Sequence, residues 1–211
     1  MKLFSEKVYK AARLLAEGGV GVMPTDTIYG LLGSALQPEV VERIYKLRRR
    51  QPDKPFIILI SGMSDIQKFN VNIRLSDIRI LRRFWPGPVS MILPLGKQGI
   101  KKFRYLHRGT GAIAFRIPKP QWLRGLLAKT GPLVAPSANI EGQPPAQTIS
   151  QAQKYFGDRV DFYLDGGRIA GKPSILVEWK DGKIVAKRRV PAAAGDHRAL
   201  YKRRQFHRSS L

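Results

Sequence analysis

The chain has no cysteine, which excludes disulfide staples and thiolate metal sites. It is poor in acid: 15 Asp and Glu stand against 38 Lys and Arg, a formal charge of +23. Its three histidines, His107, His197 and His207, are isolated, with no His-Glu or His-x-His spacing to suggest a metal centre. No apolar run approaches the ~20 residues that a bilayer-spanning helix needs. Residues 1–17 lack a signal-peptide pattern and read as a helix. Neither the Gly-rich loop ending in Lys-Ser/Thr nor the dinucleotide glycine fingerprint is present, so any nucleotide held here is held without a P-loop. A cytoplasmic protein without a membrane partner is the expectation.

What is there suits a globular domain. The 211 residues are 43% apolar and 25% charged, enough for one domain with a substantial core. A field as positive as this attracts polyanions: nucleotides, RNA or acidic membrane surfaces. A generally basic, solvated surface is the plainer account, and charge alone does not choose.

Strand-like and helix-like patterns alternate along the chain. Residues 7–17 and 38–48 carry apolar side chains at helical spacing, the second with Pro38 at its first turn. Ser76 is placed to cap a helix running to Trp85. Pro120 opens another that stops at Gly131, and Thr148 caps a third reaching Tyr155. Strands are expected at residues 20–23, 56–60, 89–93, 112–117, 133–135, 160–164, 174–179 and 184–189. Asp181-Gly182 turns a hairpin between the last two. This order predicts a three-layer α/β fold with an open, mixed parallel and antiparallel sheet flanked by helices. Residues 1–190 form the domain, and residues 191–211 form a basic C-terminal tail carrying Arg198, Lys202, Arg203, Arg204 and Arg208.

Four polar clusters interrupt the apolar pattern. Pro24-Thr25-Asp26-Thr27-Ile28-Tyr29-Gly30 follows a strand, where α/β sheets bind ligands; a turn with Asp26 bonded to nearby backbone and Tyr29 packed inside is the alternative. Arg48-Arg49-Arg50-Gln51-Pro52-Asp53-Lys54 leaves a helix. If it is extended, Arg48 and Arg50 share a side and form a phosphate clamp with Lys54; otherwise it is a solvated helix end. Ser137 and Asn139 also share a side when extended and suit phosphate oxygens, or make an ordinary turn. Arg116 ends the apolar run 112–115, where a charge needs a bound anion or an ion pair.

Taken collinearly, Pro24 to Leu31, Trp85-Pro86-Gly87-Pro88, Phe115-Arg116-Ile117-Pro118 and Leu133 to Asn139 with Gly142 resemble the YrdC/TsaC family, in its single-domain form, from about residue 8 to 190. The resemblance implies a YrdC/RibB-like fold with a twisted sheet. It implies a synthase that joins L-threonine, bicarbonate and ATP into threonylcarbamoyl-AMP and pyrophosphate, a nucleotidyltransferase serving tRNA t6A37 modification through a downstream threonylcarbamoyl transferase. By the same resemblance Arg48, Arg50 and Lys54 are catalytic. Arg48, Arg50, Ser137, Asn139 and Arg188 hold ATP. Thr25, Tyr29, Arg116 and Ser174 line the threonine pocket. Mg²⁺ comes with the nucleotide, and no protein ligand is assigned to it. Three departures bear on substrate choice: Arg48 replaces the family's Lys, Ile175 follows Ser174 where Thr is usual, and Ala112 replaces a Thr. Two other readings stand beside this one: a non-catalytic RNA- or ribosome-binding paralogue, to which the basic stretch 97–108 and the tail would contribute, and a carbamoyl-adenylate enzyme with another acceptor.

Overall fold

Period-two alternation splits neighbouring strand residues between two cores, and this organises the molecule. In the computed structural model, which describes residues 2–180 and 183–187, Val22, Leu31, Ile58 and Val134 join one apolar cluster while their neighbours Met23, Leu32, Leu59 and Leu133 join the other. Each fully buried side chain of this size stabilises the fold by about 1.5–3 kcal/mol.

The strands are β1 (Gly21–Pro24), β2 (Tyr29–Ser34), β3 (Ile57–Leu59), β4 (Val89–Pro94), β5 (Ala112–Arg116), β6 (Leu133–Val134), β7 (Phe162–Tyr163), β8 (Ile175–Lys180) and β9 (Lys183–Ala186). They lie in one sheet in the order β7-β1-β2-β6-β3-β5-β4-β8-β9. The β7–β1, β3–β5 and β4–β8 pairs are parallel and the rest antiparallel, so the sheet is mixed, as expected.

Helices cover both faces. α1 (Lys2–Ala16) and α6 (Gln121–Thr130) place Ala12, Leu15, Leu123, Leu126 and Leu127 on the Leu32/Leu133 face. α2 (Pro38–Arg48) sits on the other, with Val40, Val41 and Ile44 buried. Also present are α3 (Leu75–Leu81), α4 (Lys97–Lys102), α5 (Arg104–His107), α7 (Ile149–Phe156) and two short 3₁₀ turns. Thr148 caps α7 by accepting from the Gln151 amide at 3.3 Å, as its position predicts.

Three expectations are corrected. β2 is a strand beyond those expected: its start overlaps the polar cluster at 24–30, and its two glycines weaken the strand pattern. Gly33 is needed there: a Cβ would come within 2.6 Å of Val40 and 2.9 Å of Ile44, so α2 presses directly on the strand. α1, Lys2–Ala16, agrees with the helix expected over residues 1–17. α3 begins at Leu75 with Arg74 in the cap position, which puts Ser76 inside the first turn, and it ends at Leu81 rather than Trp85. The basic stretch 97–108 is largely helical, as α4 and α5. The Asp181-Gly182 turn, Arg188 and the tail at 191–211 lie outside the described residues. Among the described residues no helix is long and apolar enough to cross a membrane.

Candidate functional site

Helix α2 ends at Arg48, and the chain then reverses. Arg49 adopts a left-handed conformation (φ 49°), and the Arg50 amide donates back to the Tyr45 carbonyl at 3.0 Å. The segment is therefore not extended, and Arg48 and Arg50 do not share a side. Arg48 turns inward, only 3% exposed. Its Nε donates to the Asn139 carbonyl at 3.0 Å, and its Nη2 donates to Ser137 Oγ at 3.1 Å and Asn139 Oδ1 at 3.0 Å. Burial, with Arg50 adding repulsion, pushes the Arg48 guanidinium down to about 10, still charged at neutral pH.

The Arg48–Ser137–Asn139 cluster comes together as the sequence suggested, but its donors are distributed differently. The Asn139 amide nitrogen donates to Ile140 O at 2.8 Å and Gln143 O at 2.7 Å, so its hydrogen-bonding capacity is used internally. Ser137 Oγ only accepts from Arg48 here, which leaves its hydroxyl hydrogen for a ligand.

Arg50 turns the other way. Its guanidinium lies 5.4 Å over the Phe56 ring; Phe56 stacks on Tyr45 at 4.1 Å, and Arg108 lies 3.9 Å over Tyr45. This column of cation, two rings and cation fixes where Arg50 can point. Lys54 closes the loop, and its carbonyl accepts from both Arg50 Nε at 3.1 Å and the Tyr45 hydroxyl at 2.9 Å. Glu141 lies between the two cations, 3.1 Å from Lys54 Nζ and 3.6 Å from Arg50 Nη1. A hydrogen bond from the Gln51 amide, with lesser contributions from Lys54 and Arg50 that outweigh burial, holds its carboxyl below the usual range.

The second group forms around β1 and β2. The Thr25 hydroxyl donates to Ile28 O at 2.7 Å and accepts from the Thr27 and Ile28 amides, which shapes the turn. Asp26 reaches across the sheet to Arg116, with Oδ1 3.0 Å from Nη2 and both side chains 5% exposed or less. Burial pushes the Arg116 guanidinium down while Asp26 pushes it back up. Arg116 Nε is buried without a hydrogen-bond partner. Of the two roles open to Arg116, the ion pair is present, and among the described residues Nε remains a donor without a partner. The β4–β5 register, continued by one residue, sets Ser90 opposite Arg116 on the same face, and Ser90 Oγ lies 2.8 Å from Ser174 Oγ. Ser174 therefore joins this group.

Tyr29 is fully buried, and its hydroxyl contacts Asp165 Oδ1 at 3.2 Å, Gly167 O at 2.7 Å and the Gly166 amide at 2.9 Å. It anchors a strap, residues 165–173, that crosses the Thr25–Ile28 turn. The approach is so close that a Cβ on Gly171 would lie 1.8 Å from Thr27 O. The two groups adjoin through a bridge between Gly30 and Ser137 and a bond from the Ala138 amide to Tyr29 O at 2.9 Å.

Residue patterns did not single out Glu141, Phe56, Tyr45 or Ser90. The one usable signal was Glu141, an acid two positions beyond Asn139 in a chain with few acids. Among the described residues no group of three or more His, Asp or Glu could hold a metal ion, and Glu141 is already engaged by three donors. These side chains do not fit a protein-held Mg²⁺ site.

A mixed sheet with cations, hydroxyls and a buried Arg–Asp pair near its strand ends defines the class: an α/β domain with a polar side-chain cluster at the edge of its sheet. The chain belongs to the Sua5/YciO/YrdC family, described as "telomere recombination", whose profile matches residues 13–189. It is 32% identical over 178 residues to the threonylcarbamoyl-AMP synthase of Pyrococcus abyssi, covering 82% of this chain and 52% of that one. It is 32% identical over 178 residues to the threonylcarbamoyl-AMP synthase of Nitrosococcus oceani, covering 84% and 94%. The chain thus spans about half the length of the Pyrococcus relative and nearly all of the Nitrosococcus one. Among solved structures it superimposes on Pyrococcus abyssi Sua5 complexed with L-threonine with a TM-score of 0.78 at 29% identity, covering 87% of this chain and 54% of that one.

Proposed function

We propose that this chain forms threonylcarbamoyl-AMP and pyrophosphate from L-threonine, bicarbonate and ATP, the nucleotidyltransferase step that supplies a downstream threonylcarbamoyl transferase for tRNA t6A37. The relatives named threonylcarbamoyl-AMP synthase and the threonine-bound neighbour support it. The observation that carries it in this molecule is the contact of Arg48 with both Ser137 and Asn139 beside Arg50 and Lys54.

In this reading the threonine amine adds to the bicarbonate carbon with loss of water. A carbamate oxygen then attacks the α-phosphorus of ATP, and the bond from that phosphorus to the pyrophosphate oxygen breaks. Such chemistry asks for positioning and charge neutralisation rather than a covalent catalyst. Arg50 and Lys54 neutralise charge on the phosphates. Ser137 donates its free hydroxyl hydrogen, and Arg48 acts as the positioning residue that aims Ser137 and Asn139. Arg116, through its unpartnered Nε, takes the threonine carboxylate. Ser174 lines that pocket together with Ser90, and Thr25 shapes it from the turn. Tyr29 shapes it by holding the strap. Arg188 is proposed to reach ATP from beyond β9. Mg²⁺ is proposed to arrive on the nucleotide, and no step is routed through it. The domain is proposed to work in the cytoplasm.

The test is pyrophosphate release with and without threonine and bicarbonate, together with a panel of other amino acids. Release that requires both co-substrates, and that Arg50→Ala abolishes in a folded chain, supports the proposal. Release with another amino acid alone redirects it to a related carbamoyl-adenylate enzyme. RNA is proposed as an additional contact for the basic surface and the tail, with which a charge of +23 is compatible. Affinity for RNA should fall steeply with salt if phosphate contacts carry it.

A further inference from the structure

The cations assigned to phosphate in the proposed function already face a carboxylate. Glu141 Oε1 lies 3.1 Å from Lys54 Nζ and 3.6 Å from Arg50 Nη1, and Oε2 accepts from the Gln51 amide at 2.7 Å. The three donors come from one short loop and converge on one anion. The anion is tethered to the same loop, because the Glu141 amide donates to the Arg48 carbonyl at 2.8 Å. The three side chains are 22%, 47% and 23% exposed for Arg50, Lys54 and Glu141, so the cluster is open to exchange with a dissolved anion.

We infer that Glu141 is an internal stand-in for phosphate: it keeps Arg50, Lys54 and the Gln51 amide aimed at one point, and the triphosphate of ATP displaces it. This rests on the nucleotide reading of the site and adds a residue that tunes it. With Glu141 in place the loop carries one net positive charge, and a triphosphate that left the carboxylate there would be repelled by it. When Glu141 swings out, its backbone stays tied to Arg48, and one motion frees two cations and a backbone N–H. These are the donor types that hold phosphate elsewhere. Glu141 thus lowers affinity for ATP in return for order in the empty site, and it gives ATP binding a dependence on a carboxylate outside the substrate pocket.

The experiment is calorimetric binding of ATP to the full chain, with melting temperature recorded in parallel. Glu141→Gln keeps an oxygen for the Gln51 amide and removes the charge. Glu141→Ser is the second variant, in case the first does not fold. Each is expected to bind ATP about two- to fivefold more tightly, the range that a partly exposed ion pair provides, with a steeper loss of affinity with salt. The gain should shrink when Lys54→Gln is added to the Glu141→Gln chain. Wild-type binding of ATP with equal or weaker binding by folded variants overturns the role of Glu141 alone. No ATP binding by any chain overturns the nucleotide site, and the role of Glu141 with it.

Discussion

Asp26 Oδ1 lies 3.0 Å from Arg116 Nη2, although β2, β6 and β3 lie between β1 and β5 in the sheet. The turn after β1 therefore passes over the end of β5. Both side chains are nearly inaccessible, so removing one leaves the other a buried, unpaired charge. Asp26→Ala is expected to cost about 3–5 kcal/mol in urea unfolding and to raise the KM for threonine through loss of Arg116 orientation. A loss under about 1 kcal/mol would mean that water reaches the pair.

Arg48 and Arg50, two residues apart, should separate stability from activity. Arg48→Met strands the acceptors of Ser137 and Asn139 and is expected to cost about 2–4 kcal/mol. Arg50→Ala removes a partly exposed pair and is expected to change stability by less than about 1 kcal/mol while abolishing pyrophosphate release. Denaturation curves and turnover measured on the same preparations check both.

The column Arg108–Tyr45–Phe56–Arg50 predicts an effect at a distance from any ligand. Phe56→Leu keeps an apolar core residue but removes the ring beneath Arg50. The KM for ATP is expected to rise about two- to fivefold, as loss of an exposed cation–π contact implies, with little change in the KM for threonine. Equal changes in both would place the effect elsewhere.

Tyr29→Phe deletes the hydroxyl that contacts Asp165, Gly166 and Gly167. The strap is expected to loosen, at a cost of about 1–3 kcal/mol. Limited trypsin digestion should then cut faster after Arg168, and mass spectrometry of the fragments reads this directly. Unchanged cleavage would show that the glycine contacts alone hold the strap.

Acid should unfold the chain through its few carboxylates. Asp161 loses some stability to burial but gains more from Arg43 and the Val20 amide, and Glu141 gains from the Gln51 amide, so both titrate below their ordinary values. For a carboxyl depressed on folding, the added stability is present above the unfolded value and is lost as pH falls through the folded one. Stability should therefore hold from neutrality to about pH 4 and decline below it, with a shallower decline in Asp161→Asn. A fall beginning near pH 6 would point to another group.

The sequence by itself determined most of the elements and the membership. Short apolar runs at residues 20–23, 56–60 and 89–93, and the helical periods at 38–48 and around Thr148, report local preference and burial, which are written in neighbouring residues. The collinear segments around Thr25, Trp85, Arg116 and Ser137 carried the family resemblance for the same reason. Only the tertiary structure decided which side chains face each other. Arg48 could have pointed outward beside Arg50 until the left-handed Arg49 turned the chain. Asp26 could have bonded its own turn until the fold brought Arg116 to it. Glu141 carries only a weak local signal, its place two positions beyond Asn139, because its meaning comes from contacts made 87 to 91 residues away along the chain. Pairings at that range are set by how distant segments pack together, not by residues that are neighbours in sequence.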